Sequence, residues 1–200
     1  FIYKPSTQSP YFMQLMCEIF MEIGLPGGVV NVIHGSRDIP GTWYEDPRIA
    51  GVCLVGSTPT AKKMAEGCAR GAKRSMLLGG AKNMLVVMED ADIDEASSLA
   101  VAGSYKNSGQ RCTAVKRMLV HQAVADQFVE QVVAKTRAWS YGDPSDRKLD
   151  MGTVIDEAAA TFFEASVNEA LAQGAKLLVG NQRHGALYSP TVVDQVRPEM

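Results

Sequence analysis

Short apolar runs alternate with longer amphipathic stretches along the first part of the chain. Runs of this kind are typical of strands buried in a parallel sheet, and they lie at residues 1–3, 29–33, 49–55 and 73–78. Helices are predicted between them, over residues 11–23, 38–44 and 60–69. Gly24 and Gly71 follow the two longer helices, where a glycine commonly ends a helix. The strand, helix and strand over residues 1–33 have the spacing of one β-α-β unit, which predicts a parallel sheet.

The first of these helices carries polar side chains at Gln14, Glu18 and Glu22, which are spaced every fourth residue. Positions four apart lie on the same face of a helix, so these side chains form one polar stripe. Most of the other residues are apolar. We therefore expect a helix that is solvated along this stripe and buried elsewhere.

A break at residues 79–83, Gly-Gly-Ala-Lys-Asn, separates this part from the rest of the chain. Beyond it the pattern predicts strands at 84–88, 118–121, 176–179 and 187–193, and helices at 93–105, 124–139 and 156–173. This alternation again predicts an α/β fold. We place a domain boundary at the break, with one domain over residues 1–78 and another over 79–200.

The composition narrows the class of protein. Of the 200 residues, 46% are hydrophobic and 21% are charged, which is typical of a soluble globular protein. A net charge of −2 gives no reason to expect a nucleic-acid partner. No apolar run has the length of a membrane span, and no signal peptide is visible. The four cysteines lack the spacing of metal ligands. We therefore expect no metal, reduced thiols and a cytoplasmic location.

A polar, cationic loop at residues 106–117 lies between two apolar segments and contains Cys112. Gly109 allows a positive φ or a close backbone approach, and Ser108 favours a turn. Arg111 is adjacent to the cysteine, and a neighbouring cation favours the reactive thiolate. The residues alone leave two interpretations: a nucleophile with an anion-binding arginine, or a surface loop whose cysteine is incidental.

Residues 107–117 resemble the catalytic-cysteine segment of the aldehyde dehydrogenase superfamily, whose pattern is G-Q-x-C. The form found here is most similar to non-phosphorylating glyceraldehyde-3-phosphate dehydrogenases and phosphonoacetaldehyde dehydrogenases. Residues 55–59 and 78–83 are more similar to methylmalonate-semialdehyde dehydrogenases. The segments therefore point to different branches of the family, and the substrate is not decided by the resemblance.

The resemblance implies an aldehyde-dehydrogenase-like fold. Residues 1–78 would be the C-terminal part of a Rossmann-like dinucleotide-binding domain, and residues 79–200 the N-terminal part of the catalytic domain. The chain begins inside a predicted strand, so we expect a fragment of a longer enzyme, inactive alone. The complete enzyme would be a homodimer or homotetramer, as is usual in the family.

The same resemblance implies an NAD(P) cofactor and the residues that contact it. Lys4 and Ser6 belong to a K-P-S segment that contacts the adenosine ribose. Thr7 occupies the position of a glutamate that holds the ribose hydroxyls in many NAD-dependent members. Because a carboxylate would repel a 2′-phosphate, Thr7 removes an obstacle to NADP. Gly56 and Ser57 match a turn at the pyrophosphate, although such a turn by itself usually only caps a helix.

By the same resemblance, Cys112 would attack an aldehyde, pass a hydride to NAD(P), and retain the acyl group as a thioester. Arg111 would pair with a phosphate, phosphonate or carboxylate of a small substrate, since a guanidinium binds such groups in a bidentate manner. His34 and His121 are interpreted as structural or solvated. The expected activity is oxidation of a small anionic aldehyde, such as phosphonoacetaldehyde or a semialdehyde.

Leu77 departs from the family pattern, which usually has a glutamate there as the general base for thioester hydrolysis. Leucine cannot accept a proton, and methylmalonate-semialdehyde dehydrogenases, which also lack this glutamate, release the acyl group to coenzyme A. One alternative is therefore a coenzyme A-acylating semialdehyde dehydrogenase. Another is a non-catalytic fragment or a subunit-interaction module.

Overall fold

The computed structural model describes residues 1–36 and 38–200. The chain divides into two compact units, Phe1–Gly80 and Ala81–Met200, where the sequence predicted a boundary between residues 78 and 79. Strands and helices alternate throughout the first unit, and the second unit begins with the same alternation and ends in consecutive strands. The predicted α/β fold class is confirmed.

The first unit contains two β-α-β units with parallel strands. β1 pairs with β2 across α1, and β3 pairs with β4 across α3. The elements are β1 Ile2–Tyr3, α1 Tyr11–Glu22, β2 Asn31–Val32, α2 Ile39–Trp43, β3 Gly51–Val55, α3 Thr58–Arg70 and β4 Arg74–Leu78. The β-α-β unit predicted over residues 1–33 is therefore present, and a second one follows it.

A small apolar core lies between α3 and the β3–β4 pair. Val52, Met64 and Cys68 are buried, and Leu54 and Leu77 pack against them from neighbouring strands. The two leucines are partners in the parallel register, so they lie side by side on the face that α3 covers. This core fixes the end of β3, from which the turn into α3 begins.

The predicted burial of α1 is wrong for this chain. Among the described residues, α1 contributes none to the buried core. Phe12 and Met21 have 69% and 68% of their surface exposed. An apolar helix face is buried only where another element covers it, and β2 is a two-residue strand that covers little of α1. The end of the first strand is also exposed, at Phe1 and Tyr3.

The second unit begins with a third parallel β-α-β unit, in which β5 pairs with β6 across α4. β7 and β10 pair in the antiparallel direction, and β8 and β9 form a hairpin. The elements are β5 Asn83–Val87, α4 Ile93–Tyr105, β6 Val115–Val120, α5 Ala125–Arg137, α6 Glu157–Ala172, β7 Lys176–Val179, β8 Arg183–His184, β9 Leu187–Tyr188 and β10 Val192–Asp194. The strand predicted over 187–193 is two strands, and Pro190, which has no N–H to donate, lies between them.

The core of the second unit lies between α4, α5 and β5. Its buried side chains are Val87, Ile93, Ala100, Val101, Phe128 and Val132. A polar seam joins the two helices beside it, because Lys135 Nζ donates to Asp94 Oδ1 at 2.8 Å and Ser97 Oγ donates to Gln131 Oε1 at 2.9 Å. These contacts tie the N-terminal part of α4 to α5. None of the helices in the described residues is long and apolar enough to cross a membrane.

Candidate functional site

Cys112 lies in a tight turn between α4 and β6. The N–H of Ala114 donates to the carbonyl of Arg111 at 3.0 Å, so Cys112 and Thr113 are the two central residues of a β-turn. Ala114 is fully buried and anchors the turn, whereas Cys112 is exposed. The turn therefore presents the thiol at the surface of the second unit.

The chain enters this turn through three consecutive residues in the left-handed region. Asn107, Ser108 and Gly109 have φ values of 55°, 54° and 67°. Asparagine and glycine tolerate this conformation, while serine adopts it at a cost of about 1–3 kcal/mol. A Cβ on Gly109 would also lie 2.9 Å from the carbonyl oxygen of Ser104. The predicted need for glycine at position 109 is confirmed on both counts.

Two side chains tie this strained segment to a distant part of the second unit. Ser108 Oγ donates to the carbonyl of Gly152 at 3.0 Å, and Gln110 Oε1 accepts from the N–H of Ile155 at 2.7 Å. The sequence analysis did not identify these tethers, because nothing in the local pattern indicates which residues 45 positions later will approach.

Asn83, the first residue of β5, contacts the cysteine turn from the other side. Its Nδ2 donates to the carbonyl of Cys112 at 2.5 Å and to the carbonyl of Ala114 at 3.1 Å. Sequence reasoning missed this role. The available signal was the predicted order of strand, helix and strand at 84–88, 93–105 and 118–121, because two parallel strands joined by a helix start at the same edge of a sheet.

Cations surround the turn. Arg111 is exposed, and its Nη2 donates to the carbonyl of Gly103 at 3.5 Å. Lys116 Nζ donates to the carbonyl of Gly109. Burial lowers the pKa of Lys116, and the positive charges of Lys82 and Arg111 lower it further. Three cations thus share this region, which favours an anionic ligand.

The candidate cofactor residues lie in the first unit. A cavity of about 260 Å³ is lined by Pro5, Ser6, Thr7, Pro10, His34 and Gly35. Lys4 Nζ donates to the carbonyls of Pro5 and Gly35 at 2.9 and 3.4 Å, so it stays next to the cavity. His34, interpreted from sequence as structural or solvated, is exposed and lines the cavity. Among the described residues that line the cavity, none has an acidic side chain.

Gly56 and Ser57 form the turn from β3 into α3. Ser57 Oγ accepts from the N–H of Thr60 at 3.4 Å, so its side chain caps the helix. Pro59 is in the first turn of α3, which begins two residues before the predicted start. Thr58 Oγ1 accepts from the N–H of Gly80 at 2.9 Å. The helix N-terminus retains the partial positive charge that attracts a phosphate.

The hydrogen-bond donors at the cavity and at the N-terminus of α3 suit a dinucleotide. Lys4 and the hydroxyls of Ser6 and Thr7 can bind ribose oxygens at the cavity, and the α3 N-terminus can bind a pyrophosphate. The structure brings Lys4, Ser6 and Thr7 together in the first unit and Arg111 and Cys112 together in the second. Leu77, in contrast, packs in the core of the first unit.

Comparison with known proteins adds independent information. A sequence profile of the aldehyde dehydrogenase family matches residues 1–200. A malonate-semialdehyde dehydrogenase of Pseudomonas aeruginosa is 37% identical, and the match covers 100% of this chain and 42% of that protein. An NADP-dependent glyceraldehyde-3-phosphate dehydrogenase of Streptococcus equinus is 39% identical, with 98% of this chain and 41% of that protein covered.

A solved structure from Sinorhizobium meliloti 1021, complexed with NAD, superposes with a TM-score of 0.94 and is 32% identical. It covers 100% of this chain, which in turn covers 42% of that structure. The chain thus spans about two fifths of the proteins that it matches. The predicted cofactor class, NAD(P), is confirmed, because the Streptococcus equinus relative is NADP-dependent and the Sinorhizobium meliloti structure holds NAD.

Proposed function

Because the chain belongs to the aldehyde dehydrogenase family, as its resemblance predicted, we propose that the complete polypeptide oxidises a small anionic aldehyde with NAD(P) through Cys112. The observation that carries the proposal is the position of this cysteine. It is exposed at the centre of a turn that is held from both sides, with a guanidinium next to it in the chain. In this proposal the first unit binds the dinucleotide and the second supplies the thiol.

Cys112 acts as the nucleophile. Its thiolate adds to the carbonyl carbon of the aldehyde, a sulfur–carbon bond forms, and the carbonyl electron pair moves onto oxygen. Backbone N–H groups beside Cys112 stabilise the resulting oxyanion. When bound, NAD(P) supplies the hydride acceptor. Cys112 then carries the acyl group as a thioester, which an acyl acceptor releases.

The dinucleotide is held by residues of the first unit. Lys4, Ser6 and Thr7 contact the adenosine ribose at the cavity, and the turn at Gly56 and Ser57 contacts the pyrophosphate. None of the described residues that line the cavity is acidic, which supports use of NADP as well as NAD, because these residues present no like charge to a 2′-phosphate.

Arg111 selects an anionic substrate. It is exposed, adjacent to the nucleophile, and close enough to Lys116 to lower the pKa of that side chain. Two of the relatives are named for malonate semialdehyde and glyceraldehyde 3-phosphate, and both aldehydes carry an anionic group. We therefore assign a short aldehyde with a carboxylate, phosphate or phosphonate as the substrate class.

A coenzyme A-acylating activity is the second candidate, and Leu77 is the observation that favours it. A hydrolytic enzyme needs a base for the attacking water. Leu77 packs instead against Val52, Met64 and Cys68, so its position supplies an apolar contact and no carboxylate. In this alternative the thiol of coenzyme A takes the acyl group from Cys112.

A steady-state assay of the complete polypeptide tests these assignments. Short anionic aldehydes are supplied with NAD or NADP, with and without coenzyme A, and Cys112→Ala is compared with Cys53→Ala. Cys53 is also an exposed cysteine, and its removal should leave turnover intact. Cys112→Ala should abolish aldehyde oxidation while dinucleotide binding remains. Substantial turnover by Cys112→Ala would refute the nucleophile assignment.

A further inference from the structure

We propose that Asn83 is a positioning residue for the chemistry at Cys112, because its carboxamide orients the peptide that follows the nucleophile. The inference rests on the proposed role of Cys112. Asn83 is 29 residues away from Cys112 in the chain, in a segment to which the mechanism assigned no function. Its side chain is half-buried at the start of β5.

Both amide hydrogens of Asn83 have an acceptor in the cysteine turn. One hydrogen bond of 2.5 Å reaches the carbonyl of Cys112, and one of 3.1 Å reaches the carbonyl of Ala114. The two acceptors flank Thr113, so the carboxamide spans the C-terminal half of the turn. A single side chain therefore restrains two peptide planes.

The strand pairing is irregular at this point. The β5–β6 register shifts between Asn83 and Met84, so that Asn83 pairs with Val115 and Met84 with Arg117. One extra residue of β6, Lys116, lies between these pairs, and irregularities of this kind occur often next to active sites. Beyond it the pairing is regular as far as Val87 and Val120. The irregularity is thus confined to the residue that contacts the turn.

Fixing the Cys112 carbonyl also fixes an N–H donor. The peptide group is planar and trans, so the N–H of Thr113 points in the direction opposite to the carbonyl of Cys112. Among the described residues, neither this N–H nor that of Cys112 itself has a protein acceptor. When Asn83 holds the carbonyl, the N–H of Thr113 points away from Asn83 and is free to donate to an oxyanion.

The turn is therefore restrained from two directions. Ser108 and Gln110 hold the segment before Cys112, and Asn83 holds the segment after it. Oxyanion donors stabilise a transition state when they are oriented in advance. Removing Asn83 leaves the thiol in place but lets the peptide after it rotate.

The test uses the complete polypeptide with enzyme in excess over aldehyde, so that one turnover of cofactor reduction is observed before the acyl group is released. Asn83→Ala removes both hydrogen bonds, and Asn83→Asp keeps the shape but replaces the donor with an oxygen. Asn168→Ala is the matched control, because Asn168 Oδ1 accepts a hydrogen bond of 2.9 Å from Asn181 elsewhere in the second unit.

Both Asn83 variants should slow the single-turnover rate by about 10- to 100-fold, the scale of loss for a misplaced catalytic group. The KM for aldehyde should change less than about threefold, because the lost interaction acts in the transition state. Alkylation of Cys112 by iodoacetamide should also stay within about threefold, because that reaction needs the thiolate but no oxyanion donor. Asn168→Ala should match the wild type.

Unchanged single-turnover rates in the Asn83 variants would overturn the proposal. So would a loss that appears equally in iodoacetamide alkylation and in the melting temperature, since that pattern indicates a structural role alone. If Asn83→Ala does not fold, the nearly isosteric Asn83→Asp decides the question. Wild-type protein without Cys112-dependent cofactor reduction would refute the proposed function itself, which is a different result from a Cys112-dependent rate that Asn83 does not affect.

Discussion

The side-chain oxygen of Gln110 accepts a hydrogen bond of 2.7 Å from the backbone N–H of Ile155. This contact connects the segment before the candidate nucleophile to a segment between α5 and α6. Gln110 Nε2 also donates to the carbonyl of Asn107 at 3.3 Å, so one side chain links the strained turn to a remote backbone. The orientation of Cys112 therefore depends on residues far from it in sequence.

Gln110→Ala should make the amide of Ile155 exchange faster with solvent. A neutral hydrogen bond contributes about 1 kcal/mol, so the exchange rate should rise about fivefold where local opening governs it. Gln110→Glu retains an oxygen acceptor and should change the rate less. Hydrogen exchange resolved at Ile155 measures the effect. Gln122→Ala, at an exposed glutamine in the same unit, should have no effect, and equal rates in all variants would show that the contact does not protect this amide.

Gly109→Ala should destabilise the second unit more than Gly185→Ala. Both glycines have positive φ, at 67° and 60°, and an alanine in this region is strained by about 1–2 kcal/mol. A Cβ at position 185 has no neighbour within 4 Å, whereas a Cβ at position 109 would lie 2.9 Å from the Ser104 carbonyl. The difference between the two urea midpoints measures the contact alone. Equal midpoints would mean that the turn at residue 109 relaxes to accommodate the added methyl group.

Local sequence signals predicted much of this fold. The helix predicted over 93–105 has the bounds Ile93–Tyr105, because an aspartate before it and an apolar periodicity along it are both local features. Gly109 was predicted for its conformational freedom, and the structure confirms a positive φ. These successes share one cause, which is that neighbouring residues determine the backbone conformation.

The contacts that position Cys112 could not be predicted in the same way. Asn83 and Ile155 reach the turn through tertiary packing, and an asparagine or isoleucine at those positions has no distinctive local pattern. The burial of α1 was predicted incorrectly for a related reason, since an apolar face such as that of Phe12 is buried only if another element covers it. The periodicity of apolar residues shows which face of a helix is apolar, but it does not show whether another element covers that face.

Thr7→Glu should weaken NADP binding by about 1–3 kcal/mol more than NAD binding, because it would place a carboxylate, which repels a 2′-phosphate, in a cavity whose described lining residues are not acidic. Thr7→Gln is the matched control, since it has a similar size and no charge, and it should affect the two cofactors equally. Dissociation constants from fluorescence titration of the complete polypeptide measure the difference. Equal losses of affinity for NADP and NAD in Thr7→Glu would refute the assignment of Thr7 to the ribose site.

Arg111→Leu should reduce kcat/KM roughly 30- to 1,000-fold for aldehydes that carry a carboxylate, phosphate or phosphonate. This factor corresponds to a loss of about 2–4 kcal/mol of transition-state stabilisation. Neutral aldehydes of similar length should be affected little. Arg117→Leu provides the control, because Arg117 is an exposed arginine in β6 of the same unit. A similar loss for neutral and anionic aldehydes would show that Arg111 supports the loop and does not select the substrate.

Leu77 and Leu54 form a matched pair for testing the release of the acyl group. They are register partners in β4 and β3, and both pack against the same buried cluster. A glutamate at either position places a carboxylate among apolar side chains, so both substitutions should lower the free energy of unfolding by about 2–5 kcal/mol. The two variants should therefore have similar melting temperatures. A difference in catalysis between them would then not be explained by a difference in stability.

If position 77 is where a base would act, Leu77→Glu should hydrolyse the Cys112 thioester faster than Leu54→Glu does with water as the acceptor. The wild type, which lacks this carboxylate, should show a burst of reduced cofactor and then a slower steady rate, because hydrolysis limits turnover. Coenzyme A should raise that steady rate in the acylating alternative. Stopped-flow absorbance of the reduced cofactor separates the two phases. Equal hydrolysis by the two glutamate variants would mean that a carboxylate at position 77 cannot reach the thioester, and a wild type without a burst would mean that another group already supplies the base.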